Sequence, residues 1–249
     1  MEKKHFWTLF TVTMAALLAS SMIACSKDDD KEKEDPIDTE PIMLFVGEQK
    51  SIKGAKTISS ANEFVAYERD LNVYGSHIGT TTVQVNGKAS VRVDVLSKLS
   101  NLCQDPICNW GCDMSYVIGH QKEGSYMGQK DNSIVYKNAG CRTMLMYYFQ
   151  NNKLSAVAAL ISTSYTSRFT DYLLERFVMA PYYEGKDVTF YGFDALTLDE
   201  AKTIVSLEVY SVEYLMVMYI QNSRQSRAIF NQQSLEEDIK EQIARILLD

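Results

Sequence analysis

The cysteines are the most reactive side chains in this 249-residue sequence. Cys103, Cys108 and Cys112 lie within ten residues of one another, and Cys141 follows later. These four are the cysteines that follow Cys25, which belongs to the N-terminal segment. In a chain that is exported, an even number of cysteines favours disulfides, and four cysteines allow three connectivities. Because three cysteines so close together cannot all pair locally, Cys141 is predicted to bond to one of the other three.

A metal site is the alternative interpretation of the same four cysteines. Their C-x4-C-x3-C spacing lacks the C-x2-C pair that usually grips zinc, and thiolate sites compete with oxidation outside the cytoplasm. We therefore expect neither a metal site nor a cofactor. Buried, reduced thiols are the third interpretation.

Nucleophilic catalysis would need a base beside the nucleophile. Cys112 and His120 are eight residues apart, which is two turns of a helix and too far for contact. The motifs G-x-S-x-G, H-E-x-x-H, the Walker loop and G-x-G-x-x-G do not occur in the sequence. We expect no catalytic residue and no enzymatic activity. His77, the other histidine that follows the N-terminal segment, is expected to be solvated in a loop.

Residues 1–24 have the pattern of an export signal. Two lysines precede the apolar run Phe6–Ala19, and the small residue Ala24 precedes Cys25. This segment resembles a bacterial lipoprotein signal peptide. The resemblance implies that the chain is cut before Cys25 and that this thiol is lipidated, with palmitate among the acyl chains that hold the protein in a membrane. An uncleaved transmembrane helix is the alternative.

Residues 25–40 are predicted to be a solvated acidic tether. Between residues 26 and 40, eight acidic residues stand against three lysines, which is too polar a composition to fold. The run resembles the acidic leader that sends some Gram-negative lipoproteins to the outer face of the outer membrane, and so implies a lipid anchor at the cell surface. The net charge of −7 argues against a nucleic-acid partner.

Residues 41–96 are predicted to form a small all-β sandwich. Valine alternates with polar residues over 91–95, and Asn86-Gly87 is a strong hairpin signal. The segments LFVGEQKSIKGA, SSANEFVAY and VYGSHIGTTTVQVNGKASVRVDV resemble a group-2 bacterial immunoglobulin-like domain. This resemblance implies an immunoglobulin-like sandwich that acts as a spacer or adhesion module and has no catalytic site.

Residues 97–249 are predicted to form an α+β domain. The patterns indicate three helices and six strands, namely helices over 113–120, 166–179 (ended by Pro181) and 234–248, and strands over 133–136, 142–150, 153–162, 188–193, 203–210 and 214–221. This order is similar to the tandem αβββ layout of β-lactamase-inhibitor-like and outer-membrane assembly lipoprotein domains. It implies two αβββ units that join through an antiparallel sheet. The DP…WG opening is similar to that of uncharacterised Gram-negative lipoproteins, a resemblance that gives no information on activity.

Consecutive aromatic residues at Tyr147, Tyr148 and Phe149 must place rings on both faces of a strand. One face must be core, and a helix is expected to cover the other. The alternative is an exposed stacking surface for a sugar or a protein.

These patterns together predict a lipid-anchored cell-envelope protein. Its expected role is a surface-displayed adhesion or ligand-binding module without catalysis, with a glycan or a protein as ligand. A periplasm-facing structural or assembly lipoprotein is the first alternative, suggested by the repeated αβββ order. An enzyme of unrecognised class is the second.

Overall fold

The computed structural model describes residues 36–184, 187–222 and 229–248. Of the described residues, 46% lie in strands, so this part of the chain is mostly β, with antiparallel sheets and few helices. Asp35–Asp249 forms one compact unit. The predicted signal peptide, Cys25 and the tether up to residue 35 lie outside the described residues.

Seven strands between residues 42 and 96 form two facing sheets around one core. They are β1 Ile42–Phe45, β2 Gln49–Ser51, β3 Ile58–Ser60, β4 Ala66–Arg69, β5 Asn72–Gly75, β6 Gly79–Val85 and β7 Ala89–Leu96. One sheet has the order β1-β7-β6-β3 and the other β2-β5-β4, and β1 pairs with β7 in parallel. Val83, Val91 and Val93 are fully buried, whereas Arg92 between them is exposed. The predicted alternation is therefore confirmed.

Asn86 and Gly87 reverse the chain between β6 and β7, as predicted, and both have positive φ angles. The Asn86 side chain also fixes a neighbouring loop. Its Oδ1 accepts hydrogen bonds from the backbone N–H groups of Lys56 (2.6 Å) and Thr57 (3.0 Å), and its Nδ2 donates to the Gly54 carbonyl. The turn thus ties a loop about thirty residues away to the hairpin.

The rest of the described chain builds an eight-stranded antiparallel sheet and three helices. The strands are β8 Ser125–Lys130, β9 Ser133–Ala139, β10 Arg142–Gln150, β11 Lys153–Ser162, β12 Val178–Glu184, β13 Asp187–Phe193, β14 Thr203–Val209 and β15 Tyr214–Gln221. The helices are α1 Met114–His120, α2 Thr166–Leu174 and α3 Ile229–Leu248. The sheet order is β12-β13-β14-β15-β11-β10-β9-β8.

The two halves of this sheet repeat one order, a helix followed by four strands. Their last strands, β11 and β15, pair antiparallel at the centre of the sheet and so join the halves. The predicted joining through an antiparallel sheet is confirmed, but the predicted count of three strands per unit is wrong by one in each half.

The two missed strands, β8 and β12, lie at the edges of the sheet. Almost every side chain of β8 is exposed, so β8 has no apolar alternation to detect. The predicted helix over 166–179 ends at Leu174 instead, and Pro181 lies inside β12. An edge strand tolerates proline because its outward N–H has no ladder partner to lose.

Helices cover both faces of the eight-stranded sheet, as expected. Tyr147 and Phe149 pack in a core with residues of α1 and α2, including Val117 and Phe169. Tyr148 packs on the opposite face in a core with residues of α3. Of the helices described, none is long and apolar enough to cross a membrane.

Candidate functional site

The segment after the small sandwich is fastened to the end of α2 by Glu175. This carboxylate is 7% exposed. It accepts a short hydrogen bond from the Ser97 hydroxyl and a second from the Lys98 backbone N–H at 2.9 Å. The Glu175 carbonyl also accepts the N–H of Ile78, from the sandwich itself, at 2.9 Å. Three hydrogen bonds to one residue therefore hold the sandwich against the eight-stranded sheet.

A cleft of about 600 Å³ opens beside this contact. Arg92 and Asp94 of β7 line one wall as an ion pair at 2.9 Å, and Arg176 and Asp105 line the other as an ion pair at 2.5 Å. We call this site the junction cleft. Its lining also includes Met43, Thr80, Ser97, Ser100, Cys103 and Gln104.

Asp105 connects the cleft to a buried polar network. Its Oδ1 accepts hydrogen bonds from the Tyr172 hydroxyl and from Arg176 Nε. The Arg176 guanidinium also lies over the Tyr172 ring, 3.6 Å from its centroid. Behind Tyr172, Arg142 Nη2 donates to the same hydroxyl at 3.4 Å, and its Nη1 donates to the Gln104 carbonyl at 2.7 Å. This network positions the charged wall of the cleft from behind.

Arg142 is the largest fully buried side chain of the described residues, at 1% exposure. Its Nε is buried without a hydrogen-bond partner in the described part of the chain. Its surroundings are the phenols of Tyr219 and Tyr172 and the thiols of Cys103 and Cys141. A buried cation with no carboxylate in contact is costly, so the polar groups around it must offset its lost hydration.

Two of the four predicted disulfide candidates meet at this network. Cys103 Sγ and Cys141 Sγ are 2.8 Å apart, and both residues are buried. They are free thiols in this structure, not a disulfide. Hydrogen bonding from Cys141 lowers the pKa of Cys103; burial opposes this effect, and the positive charge of Arg142 adds to it. The same pairing raises the pKa of Cys141.

Cys108 and Cys112 are not brought to this pair and are also free thiols. Burial raises the pKa of Cys108 to about 12 and also raises the pKa of Cys112. Among the residues that the structure describes, no group of three or more His, Cys, Asp or Glu side chains comes together as a metal site would need.

Neither His77 nor His120 lies beside a cysteine in the described part of the chain. His120 stacks on Tyr116, and its Nδ1 lies 2.8 Å from the Tyr116 carbonyl. The expectation of a solvated His77 is wrong. Its ring stacks on Phe64 at 4.1 Å, and its Nδ1 lies 2.7 Å from the Phe64 carbonyl. Burial therefore lowers the pKa of His77, although backbone hydrogen bonds oppose this shift.

The residues of the cleft wall and of the buried network behind it were not predicted as site residues. Arg142, Tyr172 and Arg176 come from a strand, a helix and the turn after it, and no motif links them in the sequence. Arg142 opens a strand whose next residues are otherwise mostly apolar, which is the one local signal of an unusual buried charge.

No protein family, no curated protein and no solved structure matches the chain.

Proposed function

We propose that this protein is a lipid-anchored cell-envelope protein that binds a polar ligand in the junction cleft and performs no chemistry on it. The observation that carries the proposal is the pairing of opposite charges on both walls, Arg92 with Asp94 and Arg176 with Asp105. Each wall offers hydrogen-bond donors and acceptors side by side without an excess of either charge.

The cleft suits an uncharged ligand that is rich in hydroxyl groups. Its volume is about 600 Å³ and it is open to solvent, so a bound ligand would stay partly exposed. A phosphate or carboxylate ligand would have to displace Asp94 or Asp105 from its arginine, which costs the ion pair. Adjacent hydroxyl groups instead donate to an aspartate and accept from an arginine at the same time. A glycan segment is therefore the ligand class that we favour over a protein.

We also propose that residues 41–96 form an immunoglobulin-like sandwich. Seven strands in sheets of four and three match the strand count of a constant-type immunoglobulin domain. The hydrogen bonds of Ser97, Lys98 and Ile78 to Glu175 favour a fixed wall of the binding site over a swinging spacer.

The lipid anchor at Cys25 and the surface address rest on the N-terminal sequence pattern. The end of the acidic tether fits this arrangement, because residues 36–40 carry no helix or strand and the Asp38 N–H donates to the Lys53 carbonyl at 3.2 Å. The anchor would thus lead directly into the sandwich.

Glycan binding is tested with the full-length, detergent-solubilised protein on an array of bacterial and host oligosaccharides. Arg92→Ala removes a cleft arginine paired with an aspartate. Arg69→Ala is the matched control, because Arg69 is also mostly exposed (73% against 60% for Arg92), pairs with Asp70 and does not line the cleft. We expect Arg92→Ala to lower the affinity about tenfold, as the loss of one charge-assisted hydrogen bond does, and Arg69→Ala to leave it unchanged. Equal binding by both variants would contradict the cleft assignment.

The lipid anchor and the cell-surface location are tested by protease treatment of intact cells that express the wild type or Cys25→Ser, with a periplasmic protein as control. We expect the wild type to be labelled by a fatty-acid analogue and cleaved outside intact cells, and Cys25→Ser to lose the label. Protection in intact cells with cleavage after lysis would contradict surface display. It would favour the periplasm-facing assembly role, with which the helix-covered sheet is also consistent.

A further inference from the structure

Cys103 and Cys141 are placed as a reactive pair by the backbone around them. Gly140, in the turn before β10, has a φ of +62°, and a Cβ added there would lie 2.7 Å from Cys103 Cβ and 2.9 Å from Cys103 Cα. Only a glycine allows the two chain segments to approach this closely. The next residue is Cys141, so this contact carries its sulfur to Cys103.

The surroundings of the pair favour the thiolate on Cys103. The buried cation of Arg142 has no carboxylate in contact in the described part of the chain, and its charge favours a thiolate on either cysteine. Cys141 donates the hydrogen bond between the two sulfurs, which places the thiolate on Cys103. A thiolate beside it would supply the missing counter-charge. Cys103 is only 2% exposed but lines the junction cleft, so an oxidant reaches its sulfur from the cleft when local opening exposes it.

We propose that Cys103 and Cys141 are the pair that closes to a disulfide when the protein meets a thiol oxidant, with Cys103 as the attacking sulfur. Cys108 and Cys112 remain thiols. The two sulfurs, now 2.8 Å apart, need to approach by only about 0.8 Å to reach bonding distance. That an oxidant acts on the protein in the cell rests on the proposed export; the pairing itself does not.

The oxidant is a disulfide, either a small one such as oxidised glutathione or the active-site disulfide of an envelope oxidase. The Cys103 thiolate attacks one of its sulfurs, which forms a mixed disulfide and releases the other sulfur as a thiolate. Cys141 then loses its proton and attacks Cys103 Sγ, which closes the internal disulfide and releases the second sulfur. Two electrons and two protons pass from the cysteine pair to the oxidant, which leaves as two thiols.

The alternative pairings are disfavoured by the positions and acidity of the other two thiols. Burial raises the pKa of Cys108 to about 12 and raises the pKa of Cys112, so neither forms the attacking thiolate readily near neutral pH. Neither of these sulfurs is in contact with Cys141 in the structure, whereas Cys103 is.

The test oxidises the purified, reduced full-length protein with glutathione disulfide, blocks the remaining thiols with N-ethylmaleimide at low pH, and maps the cross-link. Trypsin alone leaves Cys103, Cys108 and Cys112 on one peptide, but an Asp-specific protease cuts before Asp105 and separates Cys103 from the other two. We expect peptide Leu99–Gln104 joined to peptide Asn138–Arg142. Four blocked thiols, or a cross-link that contains peptide Asp105–Cys112, would overturn the proposal.

Variants give a second readout. Oxidation is expected to raise the midpoint of thermal unfolding by about 5–15 °C, because the link closes a long loop in the unfolded chain. Cys141→Ser should abolish this rise, whereas the double variant Cys108→Ser/Cys112→Ser should retain it. The same mapping on protein taken directly from cells tests the compartment separately. Reduced thiols there, beside a cross-link in vitro, would contradict export and leave the pairing intact.

Discussion

Ser97 and Glu175 share a hydrogen bond across 78 residues of sequence, and this contact joins the small sandwich to the larger sheet. Ser97 directly follows the last strand of the sandwich, and Glu175 caps the end of α2. The second carboxylate oxygen of Glu175 accepts the Lys98 N–H at 2.9 Å, so both of its oxygens are used by the junction. Glu175 is only 7% exposed, and its carboxylate offsets this burial by accepting hydrogen bonds from several donors at once.

Glu175→Ala is expected to destabilise the protein by about 2–3 kcal/mol. The substitution leaves the Lys98 N–H and the Ser97 hydroxyl, both in part-buried hydrogen bonds, without their acceptor, and it removes the ion pair of Glu175 with Arg176. The measurement is the free energy of unfolding from urea denaturation. Glu213→Ala, at an exposed position, is the control and should change this value by less than about 0.5 kcal/mol. An equal effect of the two substitutions would show that the junction does not depend on Glu175.

Gly140→Ala is expected to cost more stability than Gly87→Ala. The two glycines have φ angles of +62° and +63°, so both variants carry the same strain of about 1–2 kcal/mol. Gly87 has nothing within 4 Å of an added Cβ, whereas Gly140 would meet the Cys103 backbone at 2.9 Å. This clash should add about 1–3 kcal/mol. The difference between the two unfolding free energies isolates the close approach, and a difference near zero would contradict it.

Tyr147→Phe is expected to destabilise the protein by about 1–3 kcal/mol. The Tyr147 hydroxyl accepts the Ile107 N–H at 3.2 Å and donates to Gln121 Oε1 at 2.6 Å, so its removal orphans both partners. The control is Tyr136→Phe in the same core, because the Tyr136 hydroxyl forms no hydrogen bond with the described residues. That change should be close to neutral in denaturant unfolding. A larger loss for Tyr136→Phe than for Tyr147→Phe would reverse this assignment.

Local sequence patterns predicted much of the fold, because most elements carry their own signal. The alternation of buried and exposed side chains in β6 and β7 indicates one buried face. Asp113 marks the start of α1, where its carboxylate accepts the Tyr116 N–H at 2.8 Å. The edge strands escaped prediction because an edge strand need not bury a regular face.

Local sequence patterns could not predict the junction cleft, because its walls come from residues that meet only in the folded chain. Arg92 and Arg176 are 84 positions apart, and nothing in either neighbourhood marks the other. The cysteine pair shows the same limit. Parity and spacing gave Cys141 three candidate partners, and the selection of Cys103 depends on the turn at Gly140. A turn conformation of this kind is fixed by tertiary contacts.

Because the pKa of His77 is lowered by burial, we expect the folded protein to lose stability in mildly acidic solution. Burial holds its pKa in the folded protein below the ordinary histidine value of about 6.5, so between the folded pKa and about pH 6.5 the unfolded chain binds a proton that the folded chain does not. The free energy of unfolding should therefore fall as the pH decreases through this window, and the contribution of His77 should be complete above it. The slope from this one half-buried ring is at most about 1.4 kcal/mol per pH unit.

The measurement is urea unfolding at several pH values between 5 and 8 for the wild type and for His77→Phe. Phenylalanine preserves the stack on Phe64 but cannot titrate, so the variant should lose part of the pH dependence. Ser76→Ala is the control, because it removes the hydroxyl 3.0 Å from Nδ1 and retains the imidazole. Its pH dependence should keep the direction of the wild type. If His77→Phe instead steepened the loss of stability toward acid, the folded pKa of His77 would have to lie above that of the unfolded chain, and its two backbone carbonyl contacts would outweigh burial.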